Sequence, residues 1–223
     1  MVSETVQVPS HRAALDGDLT VPPGARGMIL FAHGSGSSRL SPRNRAVAAG
    51  LRGARFGTLL LDLLTPDEER EDIATARHRF DVALLARRLA DAVDWLGRRP
   101  DTAGLPIGLF GASTGAAAAL TAAAERPAAV LAVVSRGGRP DLAGDALARV
   151  AAPVLLVVGG DDETVLGLNR DAARRLAAFH RIHVVPGATH LFPEPGALEE
   201  VTEVAAAWFG DQLNEGADSE RSG

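Results

Sequence analysis

The chain has 223 residues, of which 46% are hydrophobic and 23% are charged, so it can bury a core like an ordinary globular protein. Its 28 acidic and 23 basic residues leave a net charge of −5, which does not fit a nucleic-acid-binding surface. No apolar run approaches the roughly 18 residues needed to cross a bilayer, and residues 1–10 lack the basic and apolar regions of an export signal. We therefore expect no nucleic-acid or membrane partner and a cytoplasmic location.

The chain contains no cysteine and no tyrosine. Disulfides, a thiolate nucleophile and a cysteine-ligated metal are thereby excluded, and so is a tyrosine hydroxyl as an acid or a base. No other motif implies a metal or an organic cofactor, so we expect none.

Short β-branched runs alternate with longer amphipathic segments, which predicts βαβ units in a mostly parallel sheet with helices on both faces. Strands are predicted at residues 5–8, 14–21, 28–32, 58–63, 106–110, 130–134, 154–158 and 182–185. Helices are predicted near residues 45–52, 79–98, 114–125, 165–179 and 198–208. The acidic segment 65–75 is predicted to be a loop, and Asp16-Gly17 a turn within or beside the second strand.

The organisation of the chain indicates one three-layer α/β domain. No internal repeat or interdomain linker is present, so residues 1–213 are assigned to this domain. The connection from Ser135 to Val150 is too short to hold a large cap domain, so the site is expected to be open or covered only by loops. Residues 214–223 are polar and lack apolar anchors, which predicts a disordered tail.

A nucleophile motif follows the strand at 106–110. Gly111-Ala112-Ser113-Thr114-Gly115 matches G-x-S-x-G, in which a sharp strand-to-helix turn presents the serine hydroxyl above the sheet. Small residues are needed there because a Cβ atom would collide with the adjoining strand and helix. Ser113 is therefore the predicted nucleophile.

A serine nucleophile needs a histidine base and a carboxylate that orients it, and in this arrangement they follow in the order Ser, Asp or Glu, His. His180 and His183 fall in a predicted helix end and a predicted strand, whereas His190 lies in a turn-rich loop after a strand. His190 is therefore the predicted base. After the strand at 154–158, Gly159-Gly160-Asp161-Asp162 offers two acids, and the G-x-x-D-x-x-V spacing favours Asp162 while leaving Asp161 open.

The oxyanion formed during acyl transfer needs two backbone N–H donors. One should come from Thr114, the residue after the nucleophile, and the other from the loop after His33-Gly34. Ser35 is the predicted second donor, with Gly36 and Ser37 as alternatives. That loop lacks the third glycine of a dinucleotide fingerprint and the Gly-Lys-Ser/Thr end of a P-loop, and His33 is expected to hold it by hydrogen bonds.

Taken together, these motifs resemble the dienelactone hydrolase branch of the α/β hydrolases, from about residue 21 to residue 209. They are His33-Gly34-Ser35-Gly36, the elbow around Ser113, Gly159-x-x-Asp162-x-x-Val165 and Gly187-Ala188-Thr189-His190. The resemblance implies an α/β-hydrolase fold with a Ser113, Asp162 and His190 triad. Residues 31–44 are also similar to a bacterial subgroup described only as hydrolases, whose members are sometimes fused to a phosphoribosyltransferase domain. Authentic dienelactone hydrolases use a cysteine nucleophile, and the serine of this chain indicates ordinary ester or lactone hydrolysis.

Arginines are frequent in the loops expected at the rim of the site. Arg39 follows the oxyanion loop and Arg136 follows the end of another strand, so both are predicted to bind an anionic group of the substrate, with pairing to nearby acids as the alternative.

The predicted function is hydrolysis of a small carboxylic ester or lactone through an acyl-enzyme on Ser113. A non-catalytic ligand-binding module of the same fold, and acyl transfer or perhydrolysis by the same residues, are the alternatives. The expected partner is a small-molecule substrate, and a homodimer is left open.

Overall fold

The computed structural model describes residues 1–221, with side chains described through residue 215. Within this range eight strands form one sheet in the order β1-β2-β4-β3-β5-β6-β7-β8. The strands β1 to β8 are, in chain order, Val2–Ser10, Ala13–Val21, Met28–Ala32, Gly57–Leu61, Ile107–Ala112, Val130–Arg136, Val154–Gly159 and His180–Val185. β2 pairs antiparallel with β1 and β4, and the pairs from β4 through β8 are parallel.

Helices cover both faces of the sheet. They are α1 (Pro42–Gly53), α2 (Pro66–Thr75), α3 (Val82–Arg98), α4 (Thr114–Glu125), α5 (Glu163–Ala173) and α6 (Ala197–Arg221), with a 3₁₀ segment at Pro140–Arg149. One apolar cluster joins the sheet to α3 and α4, and a second joins it to α1 and α6. These three layers confirm the predicted α/β-hydrolase architecture, and the short 3₁₀ connection leaves no room for a large cap.

The acidic segment 65–75 was predicted to be a loop, and this prediction is wrong. It forms α2, whose first turn contains a capping box: the Glu68 N–H donates to the Thr65 hydroxyl, and the Thr65 N–H donates to the Glu68 carboxylate. Pro66 occupies the start of the helix, where no N–H is needed. The acidic side chains that suggested a loop stabilise the helix N-terminus instead.

Asp16-Gly17 does not form a turn. Both residues lie inside β2, and the β1–β2 turn occurs at His11-Arg12, where His11 has a φ of 48°. Glycine at position 17 allows β2 to pack closely, because a Cβ atom there would lie 2.9 Å from Leu59 Cδ1. The predicted turn is wrong because glycine at this position meets a packing requirement of the sheet.

The last helix, α6, extends into the segment 214–223, for which the sequence predicts disorder. Residues 222 and 223 lie outside the described part of the chain, and the disorder of this tail stays a prediction. Among the described residues no helix is long and apolar enough to span a membrane.

Candidate active site

Ser113 lies where β5 turns into α4, in a backbone conformation that non-glycine residues rarely adopt. Its φ is 50° and its ψ is −122°. A Cβ atom at Gly111 would lie 2.7 Å from Gly115 O, and one at Gly115 would lie 2.5 Å from His33 O. The two flanking glycines therefore allow the helix to start directly against the neighbouring strand, and the chain has the sharp turn that the motif predicts.

His190 and Asp162 are joined by a hydrogen bond between loops that follow β8 and β7. His190 Nδ1 lies 2.7 Å from Asp162 Oδ2, and the Asp162 side chain is 15% exposed. Asp162 is also the residue before the first turn of α5, but its side chain makes no capping bond there. Its carboxylate can thus hold Nδ1 in the protonated form, which leaves Nε2 with a free lone pair.

The neighbouring acid, Asp161, has a different place. Its backbone N–H donates to Ala188 O at 3.0 Å, and the residue is exposed. This bond joins the loop that carries Asp162 to the loop that carries His190. The geometry favours Asp162 as the partner of His190 and gives Asp161 a backbone role.

Ser113 and His190 lie at the same edge of the sheet. The Ser113 N–H donates to Arg136 O at 3.2 Å, and the Arg139 N–H donates to Ser113 O at 3.0 Å. Between those two arginines, a Cβ atom at Gly137 would lie 3.6 Å from His190 Cε1. No hydrogen bond joins the Ser113 hydroxyl to the His190 ring in the described residues. Such bonds are commonly long before substrate binds.

The predicted oxyanion loop passes directly over Ser113. A Cβ atom at Gly34 would lie 3.1 Å from Ser113 Cβ. The Ser35 N–H, predicted to be an oxyanion donor, points to this position and donates to the Thr114 hydroxyl at 2.8 Å. The Ser37 N–H donates to Gly34 O at 3.1 Å, which closes a turn and takes up that alternative donor.

Thr114 contributes a second backbone donor. As the first residue of α4, it has an N–H group without an intrahelical acceptor. The N–H groups of Ser35 and Thr114 thus both lie beside the Ser113 side chain. The Ser35 N–H is hydrogen-bonded to the Thr114 hydroxyl.

Comparison with known proteins agrees with this geometry. The sequence profile of the dienelactone hydrolase family matches residues 52–214. This chain belongs to the dienelactone hydrolase family. A dienelactone hydrolase from Anabaena variabilis is 55% identical, with a TM-score of 0.92 over 94% of this chain and 97% of that chain. Est1E from Butyrivibrio proteoclasticus has the same fold at 17% identity, with a TM-score of 0.78 over 94% of this chain and 99% of that chain.

Two Mycobacterium tuberculosis relatives, each named "Putative phosphoribosyl transferase", are 58% identical over 210 residues. The match covers 94% of this chain and 46% of each relative, so this dienelactone hydrolase family member spans about half their length. The family and the fold support a hydrolase.

His33 is structural in this family member, as the sequence predicts. It is buried, its Nδ1 donates to Gly34 O at 2.9 Å, and its Nε2 accepts the Leu63 N–H at 3.0 Å. Burial lowers its pKa, so the ring stays neutral and can make both bonds. These bonds tie the oxyanion loop to the chain after β4.

The two predicted substrate-binding arginines of this hydrolase have different surroundings. Arg39 forms an ion pair with Asp62, and its Nε lies 3.5 Å from Asp18. Its charge is therefore compensated within the chain, which favours a structural role. Arg136 is buried and has no ion pair or hydrogen-bonded partner for its side chain among the described residues.

Sequence reasoning missed the wall of a cavity of about 190 Å³ beside the oxyanion loop. Its lining includes Ser35, Leu63, Ile73 of α2 and Thr114, and α2 is held there by Asp72, which lies 2.6 Å from Arg79 Nε. The Thr65–Glu68 capping box is the signal that could have revealed this helix. No group of three or more His, Asp or Glu side chains in the described residues is arranged to hold a metal ion.

Proposed function

We propose that this chain is a serine hydrolase that cleaves a small carboxylic ester or lactone through an acyl-enzyme on Ser113. The observation that carries the proposal is the meeting of three loops at one edge of the sheet. One presents Ser113 at a φ of 50°, another presents His190, and the third supplies the Asp162 carboxylate 2.7 Å from the imidazole. This arrangement supports an activated serine, since the carboxylate fixes the tautomer that leaves Nε2 free to accept a proton.

In the first half of the reaction, His190 Nε2 takes the proton of the Ser113 hydroxyl as the oxygen attacks the substrate carbonyl carbon. The carbonyl π electrons move to the oxygen, and the N–H groups of Thr114 and Ser35 donate hydrogen bonds to it. When the carbonyl reforms, the bond to the alcohol oxygen breaks, and that oxygen receives the proton from His190. When the substrate is a lactone, this alcohol remains part of the acyl group on Ser113.

In the second half, water attacks the acyl-enzyme carbonyl and gives its proton to His190 Nε2. The Ser113 oxygen then leaves and regains that proton, which releases the carboxylic acid. The Ser35 N–H must be shared with the Thr114 hydroxyl or released by it in both halves, because the two are 2.8 Å apart. At the Ser35 N–H, binding of a carbonyl oxygen therefore exchanges one acceptor, the Thr114 hydroxyl, for another.

The cavity beside the oxyanion loop supports a small substrate. Its volume is about 190 Å³, and its lining combines leucine and isoleucine side chains with three acids and an arginine, so its apolar part fits a short acyl or alcohol group. The name given to the twofold longer relatives describes those proteins, of which this chain matches 46%.

A fluorophosphonate probe and a panel of esters test the proposal. Wild-type protein should be labelled covalently at Ser113 and should hydrolyse short-chain p-nitrophenyl esters or simple lactones, whereas Ser113→Ala should do neither. Ser135→Ala is the matched control, because Ser135 lies near the end of the neighbouring strand β6 but is fully buried on the α4 side. Absence of labelling in folded wild-type protein would indicate a binding module. Faster product formation with added alcohol acceptors than with water would indicate acyl transfer.

A further inference from the structure

Arginines at the sheet edge that carries Ser113 fall into two groups. Arg39 is paired with Asp62, and Arg139 with Asp141 at 2.8 Å. Arg136 and Arg43 form no ion pair or side-chain hydrogen bond with any residue whose side chain is described. A guanidinium group without a partner is unusual at a buried position, because desolvation of its charge is then uncompensated.

Arg136 is the more buried of the two, with 7% of its surface exposed. It ends β6, where its carbonyl oxygen accepts the Ser113 N–H. Its Nη1 atom is buried without a hydrogen-bond partner. The backbone of Arg136 is thus held next to the nucleophile, and its side chain carries a buried donor that no described residue uses.

The direction of the Arg136 side chain follows from the alternation of β6. A Cβ atom at Gly138 would collide with both Ser135 Oγ and Ala116 Cβ. Because Ala116 belongs to α4, the Ser135 side chain faces that helix. Val134 packs in the cluster of α1 and α6 on the other face. Because successive strand residues point to opposite faces, Arg136 points to the face that carries α1.

Arg43 lies in the first turn of α1, on that same face. Its Nε atom is also buried without a partner, and the first turn of α1 contains no acidic residue. The positive end of a helix therefore adds to two arginine charges. The Arg43 charge is close enough to add to the effect of burial in lowering the pKa of Arg136.

We propose that Arg136 and Arg43 form a binding site for the phosphate group of a substrate, next to Ser113. This inference rests on the proposed function for its placement in a substrate pocket. A dianionic phosphate balances two guanidinium charges, whereas a carboxylate would leave one uncompensated. The planar forks of the two side chains can also donate to several phosphate oxygens at once. The substrate class is accordingly a small ester that carries a phosphate.

Thermal unfolding with inorganic phosphate as the probe tests the site without any assumption about catalysis. The full chain is compared in sodium phosphate and in sodium chloride of equal ionic strength, with sodium acetate as the carboxylate arm. Phosphate at about ten times its dissociation constant should raise Tm by roughly 3–6 °C, whereas acetate should have little effect. Arg136→Gln and Arg43→Gln should each remove most of this rise. Arg45→Gln is the matched control, because Arg45 is an exposed arginine of the same helix.

The same variants are then tested in ester hydrolysis. Inorganic phosphate should inhibit p-nitrophenyl butyrate hydrolysis competitively, with a Ki at least about tenfold higher in Arg136→Gln or Arg43→Gln and unchanged in Arg45→Gln. No phosphate-dependent rise in Tm, or a rise that persists in both variants, would overturn the site. An equal effect of acetate would overturn the phosphate assignment. If Ser113 is not labelled, the proposed function fails, but the Tm result still decides whether the anion site exists.

Discussion

Replacing Arg136 by methionine should stabilise the protein. Burial, and then the charge of Arg43, lower the pKa of Arg136 from the ordinary range of arginine to about 10. Since one pKa unit corresponds to about 1.36 kcal/mol, holding this buried group charged at neutral pH costs about 3 kcal/mol. Methionine keeps a long apolar side chain in the same space, and such replacements of buried charges are commonly stabilising by about 1–4 kcal/mol.

The pH dependence of this cost has a definite sign. A base whose pKa is lowered by folding destabilises the native state fully below its folded pKa, and the cost disappears as pH rises above about 10 toward the ordinary pKa of arginine. The difference between wild type and Arg136→Met should therefore be constant between pH 6 and pH 9. Saturating phosphate should reduce it, because only wild type would bind the anion.

Urea unfolding followed by circular dichroism measures this difference. We expect Arg136→Met to raise the free energy of unfolding by about 1–3 kcal/mol with an unchanged m value. Arg139→Met is the matched control, since Arg139 has Asp141 as a partner and its loss should not stabilise the protein. A loss of more than about 1 kcal/mol in Arg136→Met, at an unchanged m value, would show that the guanidinium has a stabilising partner and would refute the reasoning.

Three further predictions concern the site and its frame. Asp162→Asn should lower kcat by roughly 10³–10⁴-fold, because the orienting carboxylate is lost, whereas Asp161→Asn should have little effect; ester kinetics compare them. Gly115→Ala should yield little soluble protein, because its Cβ would collide with the backbone at the end of the neighbouring strand β3, and Gly97→Ala, in open space on α3, should raise Tm slightly instead. Burial raises the pKa of Glu68, but hydrogen bonds from arginine and threonine outweigh this effect and lower the pKa to about 2. Glu68→Gln should therefore cost stability above about pH 4.5 and progressively less as pH falls toward 2. Urea titrations at pH 3 and pH 6 measure that change.

The order and type of most elements could be predicted from the sequence because they depend on local periodicity. β3 and β4, each with five consecutive buried residues, have the short apolar runs typical of buried strands, and the elbow after β5 follows a motif with fixed glycine spacing. The prediction of a loop at residues 65–75 failed because it followed the acidic composition of the segment and not its capping box. Composition reports solvent exposure, and an exposed helix is as polar as a loop.

The choice between Asp161 and Asp162 depended on spacing in the sequence, and the structure favours the same residue by a 2.7 Å contact. That agreement has a local cause, because the strand, the turn and the start of the helix allow the Asp162 side chain few orientations. Ser35 was also chosen from its position after Gly34, but its bond to the Thr114 hydroxyl could not be anticipated, because the two residues are 79 positions apart.

The chain's motifs were sufficient for the turn at Ser113, since small residues at fixed spacings permit only one backbone path there. They were not sufficient to separate Arg39 from Arg136, which look alike as arginines following the ends of strands. Packing distinguishes the two: Asp18 of β2 and Asp62 after β4 reach Arg39, and no acid whose side chain is described reaches Arg136. Charge compensation is a sum over neighbours in space, so it emerges only when the sheet and its loops are assembled.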